Sequence, residues 1–326
     1  MNRRSFLASM SAASLATFPA LSRGQSRFPQ RPISYLVPVA PGGGSDYIAR
    51  ATTSEWGKTL NNSTFVVENL GGGGGVIACQ RTARAPSDGY TLMQGYVATL
   101  GTSPATRNVP YDPISNFTSV GMIGGTPNVL IVDAKLPIKS LKEFVDYFAK
   151  DTTSNYGSAG AGSLTHLLME LLKQHVGLDT QHIAYKGIAP AFQDMVGGRI
   201  HAMFPGLAAA VPHLTSNTVR AIAITGDKRS ARFPDIPTFA ELGIDGFNDV
   251  LQWYGVSGPA GMDTGIVNTL NSSLNQALVL PELEKRLAIE AVIPMPMSPQ
   301  EFAEYVHKDL ERWKKVAREQ NIRLDA

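Results

Sequence analysis

The stretch ISYLVPVAPGGGSD, residues 33–46, decides the fold of this chain. Its apolar part, residues 33–40, predicts a buried strand, and a helix is expected from about Tyr47 to Leu60. The same order recurs in a strand at 64–68, a glycine run at 71–75, a helix at 76–85 and a strand at 90–94. Strand, glycine-rich turn and helix in repetition predict right-handed βαβ units around a parallel sheet.

A second block of the same kind begins near Pro127. Strands are expected at 128–133, 155–158, 182–185, 200–204 and 219–225, and helices around 141–148, 164–176 and 189–196. From Gly255 the chain is expected to be helical and to pack back onto the first block. We therefore predict an α/β fold with two lobes and a hinged cleft, in which residues 26–126 plus 250–326 form lobe 1 and residues 127–249 form lobe 2.

The N-terminus carries an export signal. Arg3 and Arg4 precede Phe6-Leu7 and a short, mildly apolar stretch, the pattern of a twin-arginine signal. We expect residues 1–25 to be removed and the mature chain to be periplasmic; the alternative is an ordinary tail with a chance arginine pair. No later apolar run approaches the ~18 residues of a membrane span, so no membrane insertion of the mature chain is expected.

Composition excludes several function classes. The 326 residues carry a net charge of only +2, which gives no electrostatic basis for binding nucleic acid. The single cysteine, Cys79, follows an apolar run and is expected to be buried, and the six histidines show no metal-ligand spacing. We expect no metal and no cofactor.

The three glycine-rich turns, at residues 41–46, 71–75 and 159–163, are candidate anion sites. A helix start presents unpaired N–H groups and partial positive charge, and glycine lets a ligand approach the backbone. Nucleotide-binding strings of the P-loop and dinucleotide types are absent. The alternative for any one turn is that its glycines only permit a tight bend.

Hydrolase chemistry has weak support. Ser163 and His166 lie three residues apart at a helix start, but Ser163 is better interpreted as the N-cap and His166 as a first-turn donor or core residue. No Gly-x-Ser-x-Gly elbow occurs. We therefore expect a binding protein rather than an enzyme.

Several motifs together resemble the receptors of the tripartite tricarboxylate transporters, the Bug family. They are Arg31-Pro32-Ile33, the string Val37–Asp46, Val67-Glu68-Asn69, Pro86-Ser87-Asp88-Gly89-Tyr90, Pro110-Tyr111-Asp112-Pro113, Tyr156-Gly157-Ser158-Ala159-Gly160, Ala184-Tyr185-Lys186-Gly187, Pro234-Asp235-Ile236-Pro237 and Trp253-Tyr254-Gly255. They span nearly the whole mature chain in one order.

The resemblance implies a type II-like periplasmic binding protein that captures a small carboxylate between its lobes through backbone amides and delivers it to membrane permease subunits. It implies no cofactor and no reaction, and we expect a monomer. The candidate ligand-binding residues are Pro41, Gly42, Gly43, Gly44, Ser45, Asp46, Gly73, Gly74, Gly95, Tyr96, Ala159, Gly160, Gly162, Ser163, His166, Tyr185, Lys186, Gly187, Pro205 and Gly206.

Two departures from the family pattern bear on the ligand. Pro205-Gly206 stands where relatives usually have Asp-Asn, and Leu70-Gly71 where they often have Arg-Pro. Both remove polar side chains, which predicts a roomier pocket for an aromatic or longer dicarboxylate. Trp253 and Tyr254 could wall this pocket or pack in the core. A periplasmic sensor that feeds a signalling system, or an exported hydrolase, are the alternative functions.

Overall fold

The computed structural model describes residues 28–324, so the predicted signal at 1–25 lies outside the described part. The strands are β1 (Ile33–Val37), β2 (Phe65–Asn69), β3 (Thr91–Tyr96), β4 (Phe117–Pro127), β5 (Val129–Asp133), β6 (Asn155–Ser158), β7 (Gln181–Ala184), β8 (Ala202–Met203), β9 (Val219–Ile224), β10 (Leu251–Pro259) and β11 (Ile293–Pro294). The helices are α1 (Gly44–Thr59), α2 (Val76–Ala83), α3 (Ser103–Thr106), α4 (Leu141–Lys150), α5 (Leu164–Val176), α6 (Ile188–Val196), α7 (Leu207–Thr215), α8 (Thr264–Leu278), α9 (Pro281–Ile289) and α10 (Pro299–Glu319).

These strands form two mixed sheets, one in each lobe. The six-stranded sheet has the order β11-β4-β10-β3-β1-β2, and the five-stranded sheet has the order β7-β6-β8-β5-β9. The chain passes from the first sheet to the second between β4 and β5 and enters the first again at β10.

The βαβ units predicted from the glycine turns are present. β1 pairs in parallel with both β2 and β3, and β6 pairs in parallel with β7 and β8. The carboxyl ends of parallel strands lie at the same edge of a sheet. The glycine turns that follow β1 and β2 are therefore brought together at one edge of the first sheet.

The prediction of helix from Gly255 onward is wrong, because β10 occupies residues Leu251–Pro259 and the helical tail begins with α8 at Thr264. β10 lies in the middle of the sheet, antiparallel to β3 and β4. A Cβ at Gly255 would lie 2.2 Å from Cζ of Phe302 in α10, so glycine is required where this helix crosses the strand.

The cores are apolar and closely filled, and the largest one extends through both lobes. It contains Met93 of the first sheet, Leu130 of the second, Leu168 of α5 and Trp313 of α10. Cys79 is buried in it, as predicted. No helix within residues 28–324 is long and apolar enough to cross a membrane.

Candidate functional site

The α1 loop, residues 41–46, is held by the carboxylate of Asp46. This side chain is almost fully buried, and it accepts hydrogen bonds from the Gly42 N–H at 2.9 Å, Arg50 Nε at 3.0 Å and Asn69 Nδ2 at 2.9 Å. Burial alone would raise the pKa of Asp46, but these hydrogen bonds and the charge of Arg50 lower it. Asp46, a candidate ligand residue, is therefore used to brace its own loop.

Two further segments of lobe 1 pack around this loop and the residues just before it. Gln94, in β3, donates from Nε2 to the carbonyl oxygen and hydroxyl of Ser45 at 3.0 and 2.8 Å. In the α2 loop, residues 71–75, a Cβ on Gly75 would lie 2.5 Å from Thr99 and 3.1 Å from Pro38, which precedes the α1 loop. The α2 loop thus packs between the end of β1 and the chain after β3.

Four helices begin at a glycine and have no side-chain cap. The N-caps of α1, α2, α6 and α7 are Gly43, Gly75, Gly187 and Gly206. In contrast, α4, α5, α8 and α10 are capped by Ser140, Ser163, Asp263 and Ser298. The first turns that follow the glycines can donate N–H groups to an external acceptor, although the carboxylate of Glu290 lies against Gly44 and the amide oxygen of Gln252 against Gly206.

The α5 loop, residues 159–163, uses its amides internally. The N–H of Ala159 donates to Thr165 Oγ1 at 2.9 Å, that of Gly160 to Ser158 Oγ at 3.1 Å, and that of Gly162 to His166 Nδ1 at 3.1 Å. The Ser163 hydroxyl accepts the N–H of His166, which confirms Ser163 as the N-cap of α5. Among the described residues the Ser163 hydroxyl contacts the His166 N–H and Thr165 Oγ1 and not the His166 ring, so the two side chains do not form the serine–histidine pair that a hydrolase needs.

Behind this loop lies a pair of imidazoles, of which His166 is buried and His182 is half-buried. The rings of His166 and His182 stack with centroids 3.8 Å apart and planes 9° apart, and His182 stacks on Tyr156. Burial lowers the pKa of each histidine to about 4, helped at both by the charge of Lys173, and at His182 also by that of His166. His166 is only 7% exposed, so it supports the loop from within.

The segment 185–187 joins the α5 loop. Tyr185 N–H donates to the Ser158 carbonyl at 3.1 Å, and Gly187 N–H to the Ala159 carbonyl at 3.2 Å. The hydroxyl of Tyr185 donates to Asp194, which adds to the effect of burial and raises the pKa of Tyr185 to about 12. Lys186 is exposed beside them.

The chain after β3 links the two lobes, and this segment is missing from the sequence-based candidates. It forms a π-helical turn, Ala98–Thr102, followed by α3. A Cβ on Gly162 of lobe 2 would lie 2.6 Å from Thr106 Oγ1, so α3 and the α5 loop are in direct contact. A run of Thr, Ser and Pro was its only signal in the sequence.

Gly206, the N-cap of α7, packs against β10 through Gln252 and Tyr254. A Cβ on Gly206 would lie 3.0 Å from Gln252 Oε1, and Gln252 donates to the Tyr254 hydroxyl at 2.7 Å. Tyr254 stacks on Tyr96 with centroids 6.4 Å apart. Pro205, just before Gly206, accepts the Val129 N–H at its carbonyl.

One sequence-based placement needs correction, and one that was left open is decided. β3 continues to Tyr96, so Gly95 is a buried strand residue whose Cβ would meet Leu100 at 2.8 Å, and no turn follows Gln94 directly. Of the two alternatives for Trp253, core packing is confirmed: the side chain is fully buried, and its indole N–H donates to Asp309 Oδ2 at 2.7 Å.

Comparisons with known proteins agree with this architecture. The model of the tripartite tricarboxylate transporter family receptors matches residues 48–322. Protein BugT of Bordetella pertussis is 33% identical over 91% of this chain and 91% of its own length.

Two solved structures share the fold over nearly their whole length. MatC from Rhodopseudomonas palustris, solved with bound malate, has a TM-score of 0.75 at 33% identity and covers 89% of this chain and 99% of its own. Rpa4515 of R. palustris, solved with adipate, has a TM-score of 0.79 at 32% identity, with 91% and 99% covered. The family is one of solute-binding receptors and not of enzymes. With its two mixed sheets and a family match over most of its length, the chain belongs to the tripartite tricarboxylate transporter receptors.

Proposed function

We propose that this protein is a periplasmic receptor that captures a small carboxylate between its two lobes and delivers it to the permease subunits of a tripartite transporter. The observation that carries the proposal is the set of four helices, α1, α2, α6 and α7, that begin at a glycine without a side-chain cap. Two belong to each lobe. Their free N–H groups and partial positive charge suit an anion.

The carboxylate class is supported by the relatives. MatC is described with malate and Rpa4515 with adipate, both dicarboxylates. Each lobe contributes two of the uncapped helices, so the contacts to one ligand are complete only when the lobes are closed around it. Closure driven by those contacts is the mechanism we infer.

The lobe boundaries stay as proposed from sequence: 26–126 plus 250–326, and 127–249. The passage from sheet to sheet between β4 and β5 supports the first boundary. The arginine pair at residues 3 and 4 supports export to the periplasm. A sensor function would use the same binding site, but family membership favours transport.

Binding calorimetry and thermal unfolding of the mature chain with a carboxylate panel test the proposal. A true ligand at 100 times its Kd raises the free energy of unfolding by about 2.7 kcal/mol. Amines and sugars of similar size are the controls and should have no effect. If no carboxylate raises Tm or releases heat, the proposed function is wrong; turnover of esters that Ser163→Ala abolishes would favour a hydrolase instead.

The same panel tests the roomier pocket proposed from Pro205-Gly206 and Leu70-Gly71. Aromatic or longer dicarboxylates should bind more tightly than citrate. Much tighter binding of citrate would contradict that proposal while leaving the receptor function intact.

A further inference from the structure

Arg107 differs from the other arginines of the described chain. Most of those with buried or half-buried side chains are paired, as Arg312 is with Asp249 and Arg286 with Glu55. Within residues 28–324, the guanidinium of Arg107 has no ion pair and no hydrogen-bond acceptor, although its Nε is completely buried.

The position of Arg107 is at the junction of the two lobes. It follows Thr106, the residue that contacts Gly162 of the α5 loop. Its Nη1 lies 3.9 Å from the point where a Cβ of Gly74 would be, and Ser103 Oγ lies 3.8 Å from the same point. A guanidinium and a hydroxyl thus converge beside an exposed glycine of the α2 loop.

A buried N–H without an acceptor is costly, and the cost is larger for a charged group. Such an arrangement persists where an acceptor arrives with a ligand. The planar guanidinium matches a carboxylate in bidentate geometry, and the hydroxyl of Ser103 can donate to the same group. Gly74 leaves room for that group, since a Cβ there would already be in van der Waals contact with both donors.

We propose that Arg107, together with Ser103, receives the second carboxylate of a dicarboxylate whose first carboxylate is held by the uncapped helix starts. The inference rests on the proposed function. It makes Arg107 a specificity-determining residue that selects dicarboxylates over monocarboxylates of equal length.

Calorimetry with matched pairs tests this selection: succinate and butyrate, glutarate and pentanoate, adipate and hexanoate. In the unaltered protein, at least one dicarboxylate should bind at least about 10-fold more tightly than its partner. In Arg107→Gln its affinity should fall by about 10- to 100-fold, the range for a lost charge-assisted hydrogen bond, while the affinity for the monocarboxylate stays within about threefold. Arg107→Lys should restore part of the preference.

Arg84→Gln is the matched control, because Arg84 is an exposed arginine at the far end of α2 that has no ion pair within residues 28–324. It should leave both affinities unchanged. A preference that survives Arg107→Gln, an equal loss for both members of a pair, or no preference in the unaltered protein would overturn the inference but not the receptor function. If no member of any pair binds and no carboxylate of the wider panel binds either, the proposed receptor function is wrong, and so is this inference.

Discussion

The α1 loop and the α5 loop are similar in sequence, but their backbone amides differ in whether side chains of the protein accept their hydrogen bonds. Both follow a parallel strand, contain glycines and a serine, and lead into a helix. In the α1 loop, Asp46 and Gln94 hold the shape from the side, and the start of α1 has no cap. In the α5 loop, Thr165, Ser158 and His166 each accept a loop N–H.

The difference lies in which helix carries a side-chain cap. A serine N-cap satisfies the first turn of α5, whereas a glycine N-cap leaves the first turn of α1 open. The start of α1 therefore has no side-chain cap before a ligand arrives, and the same is true of the glycine starts of α6 and α7 in lobe 2. We infer that the α5 loop mainly shapes the wall opposite lobe 1, while α6 and α7 supply the donors of lobe 2.

The largest effect is expected from Gly75→Ala in the α2 loop. Gly75 has φ +95°, and its new methyl group would meet Thr99 at 2.5 Å and Pro38 at 3.1 Å, neither of which can move easily. We expect a loss of about 3 kcal/mol in the free energy of unfolding, from backbone strain of about 1–2 kcal/mol plus overpacking. Urea denaturation measures it.

Gly42→Ala is the control for that strain. Gly42 has φ +91°, but a Cβ there would meet nothing within 4 Å. It should cost only the backbone part, about 1–2 kcal/mol. Equal losses in the two variants would show that the lobe 1 loops are not closely packed.

The next effect concerns pH and the imidazole pair of lobe 2. His166 and His182 have a pKa of about 4 in the folded chain and about 6.5 when unfolded. Below about pH 6.5 the unfolded chain binds more protons, so the free energy of unfolding should fall as pH drops, until about pH 4. Between pH 7 and 5 we expect His166 alone to account for a loss of about 2 kcal/mol in urea denaturation, and the half-buried His182 to add a smaller loss.

His182→Asn should flatten this pH dependence, because one of the two stacked imidazoles is gone. The range from pH 7 to 5 distinguishes the two histidines from carboxylates such as Asp46. Because the pKa of Asp46 is lowered in the folded chain, the stability that its ionised form contributes is lost only below about pH 4. Stability that stays constant or rises between pH 7 and 5 would contradict neutral, buried imidazoles.

The local elements were predictable, because their signals lie within a few residues. Leu164–Val176 was predicted with its observed bounds, since Ser163 caps a strongly apolar helix. β4 and β10 were missed because glycines interrupt their apolar pattern. Those glycines are set by distant contacts: a Cβ on Gly121 would meet Asn271 at 2.8 Å, and one on Gly124 the Ile293 carbonyl oxygen at 2.2 Å.

The site was harder to predict than the fold for the same reason. The sequence places Asp46 at a ligand loop, but its partner Asn69 is 23 residues away, so its bracing role depends on the pairing of β1 with β2. Nothing near Arg107 in the sequence indicates that it faces Gly74. Glycine-rich turns predict where a backbone can bind an anion; they do not predict which amides other side chains have already used.

The smallest effect on stability is expected from two variants that distinguish open loop amides from amides already bonded to a side chain. Asp46→Asn removes the charge that Arg50 faces, and Thr165→Val removes the hydroxyl that accepts the Ala159 N–H. Each should cost about 1 kcal/mol of stability, the usual net value of one hydrogen bond. Their effects on ligand affinity should differ, because only the α1 loop presents open amides at its helix start.

Calorimetry with a carboxylate that binds the unaltered protein measures that difference. We expect Asp46→Asn to weaken binding about fivefold, which is about 1 kcal/mol of lost loop order, and Thr165→Val to stay within about twofold. Thermal unfolding without ligand shows whether the two variants are equally destabilised. If Thr165→Val weakens binding as much as Asp46→Asn, the α5 loop contributes donors as the α1 loop does, and the different roles inferred for the two loops from their caps are wrong.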